Sequence, residues 1–310
     1  MEDNRAQTDN TDLGFGAKNY ARSVRFINRD GSVNVTRSGL PALEHLDVYH
    51  WLISASRLKL SIVIALWYLG INLFFAAVYS WVGAGHFGGL DHGSAAREFA
   101  DLFFFSAQTI TTLGYGHIYP IGYGASTAAA IESLLGLLSF AVATGILFGR
   151  VSRPRAHIIY SRNLLLSPYR DNTGMMFRIT NKKQYELIES EASITLSIMN
   201  PGTNKREFHN LPLEISRINF LAFSWTVVHP IDKNSPVYGL SARDLEARDA
   251  EVLILFKAIS DTFSQTVYSR YSYKAADIIE NAKFSPMKQA SDEKGKLNFR
   301  VTEIHNYEKT

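Results

Sequence analysis

The sequence predicts a membrane protein of mixed α and β structure, in which two transmembrane helices flank a short re-entrant helix and precede a cytoplasmic β-sandwich. Three observations predict this class. Two long apolar stretches, residues 60–82 and 123–148, lie in the first half of the 310-residue chain. A shorter apolar stretch stands between them. From residue 157 onward, short runs rich in Ile, Val, Thr, Phe and Tyr alternate with turn signals.

The first element is a cytoplasmic N-terminal segment, residues 1–42. Its stretch RFINRDGSVNV, at residues 25–35, predicts a strand and a turn at Asp30-Gly31. Residues 43–58 mix apolar residues with His50 and Arg57, which predicts a slide helix in the membrane interface. An ordinary soluble amphipathic helix is the alternative for this segment.

Residues 59–82 are predicted to form the first transmembrane helix. Residues 60–82 hold no charged side chain, and at about 1.5 Å per residue a helix of this length spans the roughly 30 Å hydrocarbon core. A secretory signal would begin near the first residue, whereas mostly polar residues come first in this chain.

The predicted turret loop at 83–97 leads to REFADLFFFSAQTI, which is too short to cross a bilayer and predicts a re-entrant helix. This helix, the TTLGYG segment and the outer mouth together form residues 98–122. A second transmembrane helix is predicted at 123–149, followed by a linker at 150–156 that contains Pro154.

The distribution of charge predicts that both termini are cytoplasmic, because basic residues flank the two apolar spans. The net charge of +3 is too small to argue for a nucleic-acid partner. The absence of cysteine excludes disulfides and thiolate metal sites. The chain has no HExxH, GxSxG or P-loop pattern, and His229 fits a structural histidine, so we expect no enzyme activity and no cofactor.

Residues 157–310 are predicted to form an all-β sandwich of the immunoglobulin-like kind. Ser241 is predicted to cap a short helix within it. The candidate strands are 157–166, 175–181, 187–199, 205–215, 222–229, 251–259 and 262–273.

The TTLGYG segment lies between two membrane spans and requires a structural explanation. Non-helical backbone is stable in a membrane only where it is buried in protein or lines an aqueous path. Four such loops around an axis provide one. The carbonyls of Thr112, Leu113, Gly114 and Tyr115, with the Thr112 hydroxyl, can replace the hydration shell of a cation such as K⁺. Gly114 and Gly116 allow the backbone dihedrals that this arrangement needs.

With TTLGYG, RFINRDGSVNV, DVYH, the exit segment ending in SRP and SWTVVHPIDKNSPVYG, the chain resembles the prokaryotic inward-rectifier potassium channels, the KirBac family. The resemblance covers nearly the whole chain. It implies a homotetramer with passive potassium conduction through a bacterial inner membrane, gated by the cytoplasmic domain. The missing cysteine pair favours the bacterial branch.

The resemblance also directs attention to the second span, where small, aromatic and hydroxyl side chains recur every four residues and predict a pore-facing stripe. Phe148 would form a hydrophobic gate and Gly136 a bend point. Phe140 stands where strong rectifiers place an acid, so weak rectification is expected. The alternative is that both phenylalanines pack against other helices. The stripe consists of Gly136, Phe140, Thr144 and Phe148.

Two polar positions are candidates for filter support. Glu132, the one charged residue of its span, is functional by default, and it either faces the cavity or bonds to the pore helix; a protonated structural carboxyl is the alternative. Gln108 and Ile118 replace an acid and an arginine that form an ion pair in many relatives, so no unpaired charge remains.

Basic residues at the inner leaflet predict a site for phosphoinositide or another anionic lipid, unless they serve topology alone. They are Arg57, Lys59, Arg150, Arg153 and Arg155.

Two other functions stay open at this stage. One is a non-conducting, membrane-anchored binding module. The other is a weakly selective cation channel, since Leu113 replaces the usual valine or isoleucine.

Overall fold

The fold is taken from a computed structural model, which describes residues 24–36, 39, 47–91, 93–152, 156–287, 289–291 and 297–310. At His50, Val151, 289–291 and Leu297 the backbone alone is described. The chain forms two compact units. One consists of residues 39–153, and the other of residues 1–38 together with 154–310.

The first unit is helical, and two of its helices are long and apolar enough to cross a membrane. A two-residue ladder pairs Phe87–Gly88 with Tyr119–Pro120, on either side of the re-entrant segment. In chain order, the elements are α1 Val48–Ser54, α2 Arg57–Val82, β1 Phe87–Gly88, α3 Ala95–Ile110, β2 Tyr119–Pro120 and α4 Tyr123–Val151. The predicted pair of membrane helices with a short helix between them is confirmed.

The boundary between α1 and α2 differs from the prediction. Ser56 has an extended backbone, and its side chain accepts a hydrogen bond from Lys59 N at 3.3 Å, which caps the first turn of α2. Arg57 and Leu58 therefore begin the membrane helix instead of ending the slide helix. Residues 43–46 of the predicted slide helix lie outside the described residues.

The helical unit packs around a cluster of aromatic rings. The Tyr79 ring lies 5.1 Å from Phe87 and 5.2 Å from Phe105, measured between centroids, in edge-on or tilted arrangements. Leu102 and Phe75 complete the same cluster. Because these residues come from α2, α3 and β1, the cluster holds the re-entrant helix against the first membrane helix.

The second unit is a sandwich of two five-stranded sheets, which confirms the predicted all-β fold. One sheet has the order β11-β10-β6-β7 with β8 beside β6, and the other has the order β12-β4-β5-β3 with β9 beside β5. Their strands are β3 Ile158–Tyr160, β4 Leu164–Tyr169, β5 Asn172–Asn181, β6 Leu187–Asn200, β7 Lys205–Leu211, β8 Arg217–Phe220, β9 Ser224–Ile231, β10 Glu251–Ser260, β11 Gln265–Lys274 and β12 Ile278–Glu280.

Short elements complete this unit. The helix α5, Ala242–Ala247, has the predicted Ser241 cap, which forms a reciprocal capping box with Asp244. Two further ladders pair β13 with β16 and β14 with β15. These four strands are β13 Ala282–Phe284, β14 Gln289–Ser291, β15 Leu297–Phe299 and β16 Tyr307–Lys309. None of them was predicted, because three-residue strands carry little periodicity.

The N-terminal segment 24–36 belongs to the sandwich unit. Its predicted turn is present, with Gly31 at φ 82° and a bridge between Ile27 and Val33. The buried Glu251 carboxylate accepts hydrogen bonds from Phe26 N at 3.0 and 3.1 Å. Asp277 accepts from Arg25 at 2.5 Å and Arg29 at 2.8 Å. The segment is therefore fixed to the sandwich by two carboxylates.

His229 is buried on β9, where Nδ1 donates to the Pro212 carbonyl at 2.6 Å and Nε2 accepts from Ser235 Oγ at 2.8 Å. Burial lowers the pKa of His229 below 6.5, partly offset by the Pro212 carbonyl. The His229 side chain therefore binds a proton more tightly in the unfolded chain than in the folded protein. The stability that His229 provides is complete above pH 6.5 and falls as the pH drops toward the folded-state pKa.

We therefore expect the thermal unfolding midpoint of the detergent-solubilised protein to fall less between pH 7.5 and 5.5 in His229→Asn than in the unmodified protein. The matched control is His209→Asn, since His209 is a partly exposed histidine on β7. The control should keep the full pH dependence. Equal pH dependence in all three proteins would contradict the assignment.

Candidate functional site

The TTLGYG segment follows α3 directly and does not continue its helix. Thr112 has φ 58°, Gly114 φ 50° and Gly116 φ 75°, whereas Leu113 and Tyr115 between them do not have positive φ. The left-handed region costs little for glycine and more for threonine, so Thr112 carries local backbone strain. The alternation turns successive peptide planes back and forth along the segment.

The backbone N–H groups of this segment point back to α3. Leu113 N donates to the Gln108 carbonyl at 2.8 Å, and Thr112 N donates to the Thr109 carbonyl at 3.0 Å. Among the described residues, no donor bonds to the carbonyls of residues 112–115. A row of unsatisfied carbonyl oxygens is the arrangement that can replace the hydration shell of a cation. Gln108 supports it through its backbone.

The side chains of the segment have few contacts within one chain. Tyr115 is 75% exposed and lines a cavity of 450 Å³ with Gln108, Ile118 and five other residues. The Tyr115 ring is therefore not held in place by contacts within a single chain. Any bracing of the segment by the Tyr115 ring requires contacts from outside this chain.

Glu132, on α4, is wholly buried. Its carboxyl is hydrogen-bonded to the Tyr79 hydroxyl and to the Ser106 hydroxyl, and Ser106 Oγ lies 3.0 Å from Asn72 Oδ1. These four side chains, which we call the polar layer, join α2, α3 and α4. Of the two orientations open for Glu132, the contact with the re-entrant helix is the one observed.

Sequence reasoning identified Glu132 and missed its three partners. The available signal was their polarity, since Asn72 and Tyr79 stand in an otherwise apolar span and Ser106 in an aromatic run. The spacing along the chain does not show that they meet. The contacts depend on how α3 packs between α2 and α4.

The four residues of the predicted stripe on α4 differ in their surroundings. Phe140 is 74% exposed, Phe148 is 72% exposed, and Thr144 is exposed as well. Gly136 instead is buried against α3, where a Cβ atom would lie 2.2 Å from the Ile110 carbonyl oxygen. Gly136 therefore faces α3 within the single chain, because each step of four residues drifts by about 40° around the helix, and its place in the pore stays a prediction. The helix continues through Gly136, and a bend there stays a prediction.

The predicted basic cluster is only partly described. Arg57 and Lys59 are exposed in the first turn of α2, whereas Arg150 Nη1 donates to the Leu52 carbonyl in α1 at 2.9 Å. Arg150 thus satisfies a carbonyl near the end of α1. Arg153 and Arg155 lie outside the described residues. Within the described part of the chain, no group of three His, Asp or Glu side chains could hold a metal ion.

Comparisons with known proteins identify two matching families and several relatives. Residues 158–310 match the family described as "Inward rectifier potassium channel C-terminal domain", and residues 66–153 match the family described as "Ion channel". The chain is 36% identical to the inward rectifier potassium channel Kirbac3.1 of Paramagnetospirillum magnetotacticum over 273 residues, which cover 87% of this chain and 91% of the relative.

Two mammalian proteins are more distant relatives. Inward rectifier potassium channel 4 from Homo sapiens and from Mesocricetus auratus are each 26% identical over 207 residues, which is 61% of this chain. The match spans 45% of each mammalian protein. The similarity therefore extends across both units for the bacterial relative and over a smaller part for the mammalian ones.

The close contact at Gly136 provides a test. We expect Gly136→Ala to lower the free energy of unfolding by about 1–3 kcal/mol, because the added Cβ collides with the Ile110 carbonyl and overpacks the contact between α3 and α4. The thermal unfolding midpoint of the detergent-solubilised protein measures this. Gly124→Ala on the same helix is the control, since its Cβ would meet nothing within 4 Å. Equal midpoints for both variants would refute the close contact.

Proposed function

This chain belongs to the inward-rectifier potassium channel family, and on that premise we propose that residues 112–116 of four copies form its selectivity filter. The chain is a potassium-selective channel subunit and not an enzyme. The observation that carries the filter assignment is the row of carbonyls without hydrogen-bond donors at residues 112–115 among the described residues. Dehydrated K⁺ is bound by such oxygens and passes between successive sites.

A homotetramer completes what one chain leaves open. The exposed Tyr115 ring would find its contacts on a neighbouring subunit, and the wall behind each filter strand would then be closed. In this arrangement K⁺ is the permeant ion, with no resident cofactor. The alternative of a non-conducting binding module does not account for the match of residues 66–153 to an ion-channel family.

The gate is proposed to lie at the cytoplasmic end of α4. Phe148 is exposed in the single chain and stands two residues before Arg150. Four phenylalanines around an axis form a hydrophobic constriction that closes a water-filled pore by dewetting. Phe140, two stripe positions deeper, places an aromatic ring in the cavity where an acid would hold blocking cations, so weak rectification is expected.

Anionic lipid is proposed as a modulator, and the inner bacterial membrane as the location, with both termini cytoplasmic. Arg57 and Lys59 are exposed and stand at the membrane-entry end of α2. Each basic residue near an anionic surface gains about 1 kcal/mol. Arg150 bonds to α1, so Arg57 and Lys59 are the described residues best placed for a lipid headgroup.

The first experiment measures cation uptake by liposomes that contain the purified protein. We expect uptake of K⁺ and Rb⁺ well above Na⁺, blocked by Ba²⁺. Gly114→Ala should abolish this preference, because alanine resists the φ of 50° that Gly114 adopts. Gly124→Ala is the control and should transport normally. Equal Na⁺ and K⁺ uptake would favour a weakly selective pore, and no uptake in any lipid would contradict conduction.

The lipid proposal is tested with Arg57→Gln/Lys59→Gln. Removing two charges should raise the amount of anionic lipid needed for the half-maximal change in Rb⁺ uptake by roughly 10–30-fold, since about 2 kcal/mol of attraction is lost. The K⁺ to Na⁺ ratio should not change. Arg97→Gln is the control, because Arg97 is an exposed arginine in the first turn of α3. An unaltered lipid response in the double variant would rule out this site.

A further inference from the structure

The polar layer is a linear hydrogen-bond chain within the membrane unit. Asn72, Tyr79, Ser106 and Glu132 each have a relative exposure of 0%. The oxygen contacts run from Tyr79 Oη to one carboxyl oxygen of Glu132, from the other carboxyl oxygen to Ser106 Oγ, and from Ser106 Oγ to Asn72 Oδ1. Three oxygen-to-oxygen contacts thus lie in series.

The orientation of the Asn72 amide is determined by the backbone. Asn72 Nδ2 donates to the Tyr68 carbonyl oxygen at 2.6 Å. The reversed amide would set two acceptor oxygens against each other at that distance, which an amide avoids when a donor is available. Asn72 therefore presents its oxygen to Ser106, and the contact with Ser106 Oγ needs a proton from the serine side.

Counting protons then defines the state of Glu132. Tyr79 and Ser106 have one hydroxyl proton each, and Asn72 Oδ1 has none to give. Three contacts need three protons, so two hydroxyls leave one contact without a proton. A protonated Glu132 provides the third. Tyr79 then donates to Glu132, Glu132 donates to Ser106, and Ser106 donates to Asn72.

The surroundings favour the same state. Among the described residues, no Lys, Arg or His forms an ion pair with Glu132. An ionised carboxyl without a cation is costly in the interior of a membrane protein. The neutral acid removes this cost and satisfies every oxygen of the layer.

We propose that Glu132 is a neutral carboxylic acid that donates its proton to Ser106 and thereby positions the pore helix behind the filter. Ser106 stands two residues before Gln108, whose carbonyl accepts from Leu113 N at 2.8 Å. Glu132 on α4 therefore bonds to α3 two residues before the carbonyl that holds the filter backbone. The protonation state of Glu132 is independent of the proposed function, and only its expected effect on K⁺ selectivity rests on that function.

The test compares infrared spectra and cation uptake in full-length protein. Glu132→Gln preserves the chain, because its amide nitrogen can donate to Ser106 while its oxygen accepts from Tyr79. We expect the unmodified protein to show the carbonyl band of a protonated carboxyl, shifted by ¹³C-labelled glutamate and absent from Glu132→Gln. The K⁺ to Na⁺ uptake ratio of Glu132→Gln should stay within about twofold.

Ser106→Ala removes the hydroxyl that links Glu132 to Asn72. It should lower the K⁺ to Na⁺ uptake ratio at least about fivefold, because it leaves the Glu132 proton and the Asn72 oxygen unpaired. Ser133→Ala is the control on α4, where, among the described residues, the hydroxyl bonds to the Ala129 carbonyl of its own helix. Glu132→Ala should lower the K⁺ to Na⁺ uptake ratio as Ser106→Ala does. The ratio should therefore be higher in Glu132→Gln than in Glu132→Ala.

Three results would overturn the proposal: no protonated-carboxyl band from labelled glutamate, a Glu132→Gln ratio as low as that of Glu132→Ala, or a Ser106→Ala ratio equal to that of Ser133→Ala. Failure of the proposed function gives a different pattern. An unmodified protein without K⁺ uptake would refute conduction, while the infrared band from labelled glutamate would still decide the protonation state.

Discussion

The structure depends on how backbone polar groups are satisfied where water is absent. The segment at residues 112–115 leaves its carbonyls without donors among the described residues while its N–H groups bond to α3. Such a segment is stable in a membrane only if everything around it is fully bonded and rigid. The aromatic cluster at Tyr79 and the polar layer behind α3 provide this support. These carbonyls are then available to an ion, because no other group among the described residues competes for them.

The same principle explains why the supporting elements are polar as well as apolar. Helices in a membrane gain little from burying apolar side chains, since lipid is equally apolar, so close packing and hydrogen bonds hold them together. Gly136 allows α4 to approach the Ile110 carbonyl, and Glu132 bonds to α2 and α3 one turn away. Both residues therefore hold α4 against α3, Gly136 by close packing and Glu132 by a hydrogen bond.

Much of the fold was predictable, because its signals are local. The two apolar spans, the short helix before TTLGYG, the turn at Asp30-Gly31 and the cap at Ser241 each depend on neighbouring residues, and each is present. What the sequence could not show depends on packing. The partners of Glu132 lie 26 and 53 positions away along the chain, and the placement of Gly136 depends on which face of α4 meets α3. The proposed filter follows from a motif in the sequence, whereas the contacts around it are visible only in three dimensions.

The attachment of residues 24–36 to the sandwich has a consequence for biosynthesis. Phe26 and Ile27 lie in a small buried cluster with Phe208 and Leu253, and the backbone of Phe26 bonds to Glu251, 225 positions later. At about 5–20 residues per second, a ribosome needs on the order of 10–45 seconds to make the intervening chain. Both membrane helices are synthesised within that interval. Residues 24–36 therefore leave the ribosome before the strands that they bind, and their apolar residues stay exposed until the sandwich is complete.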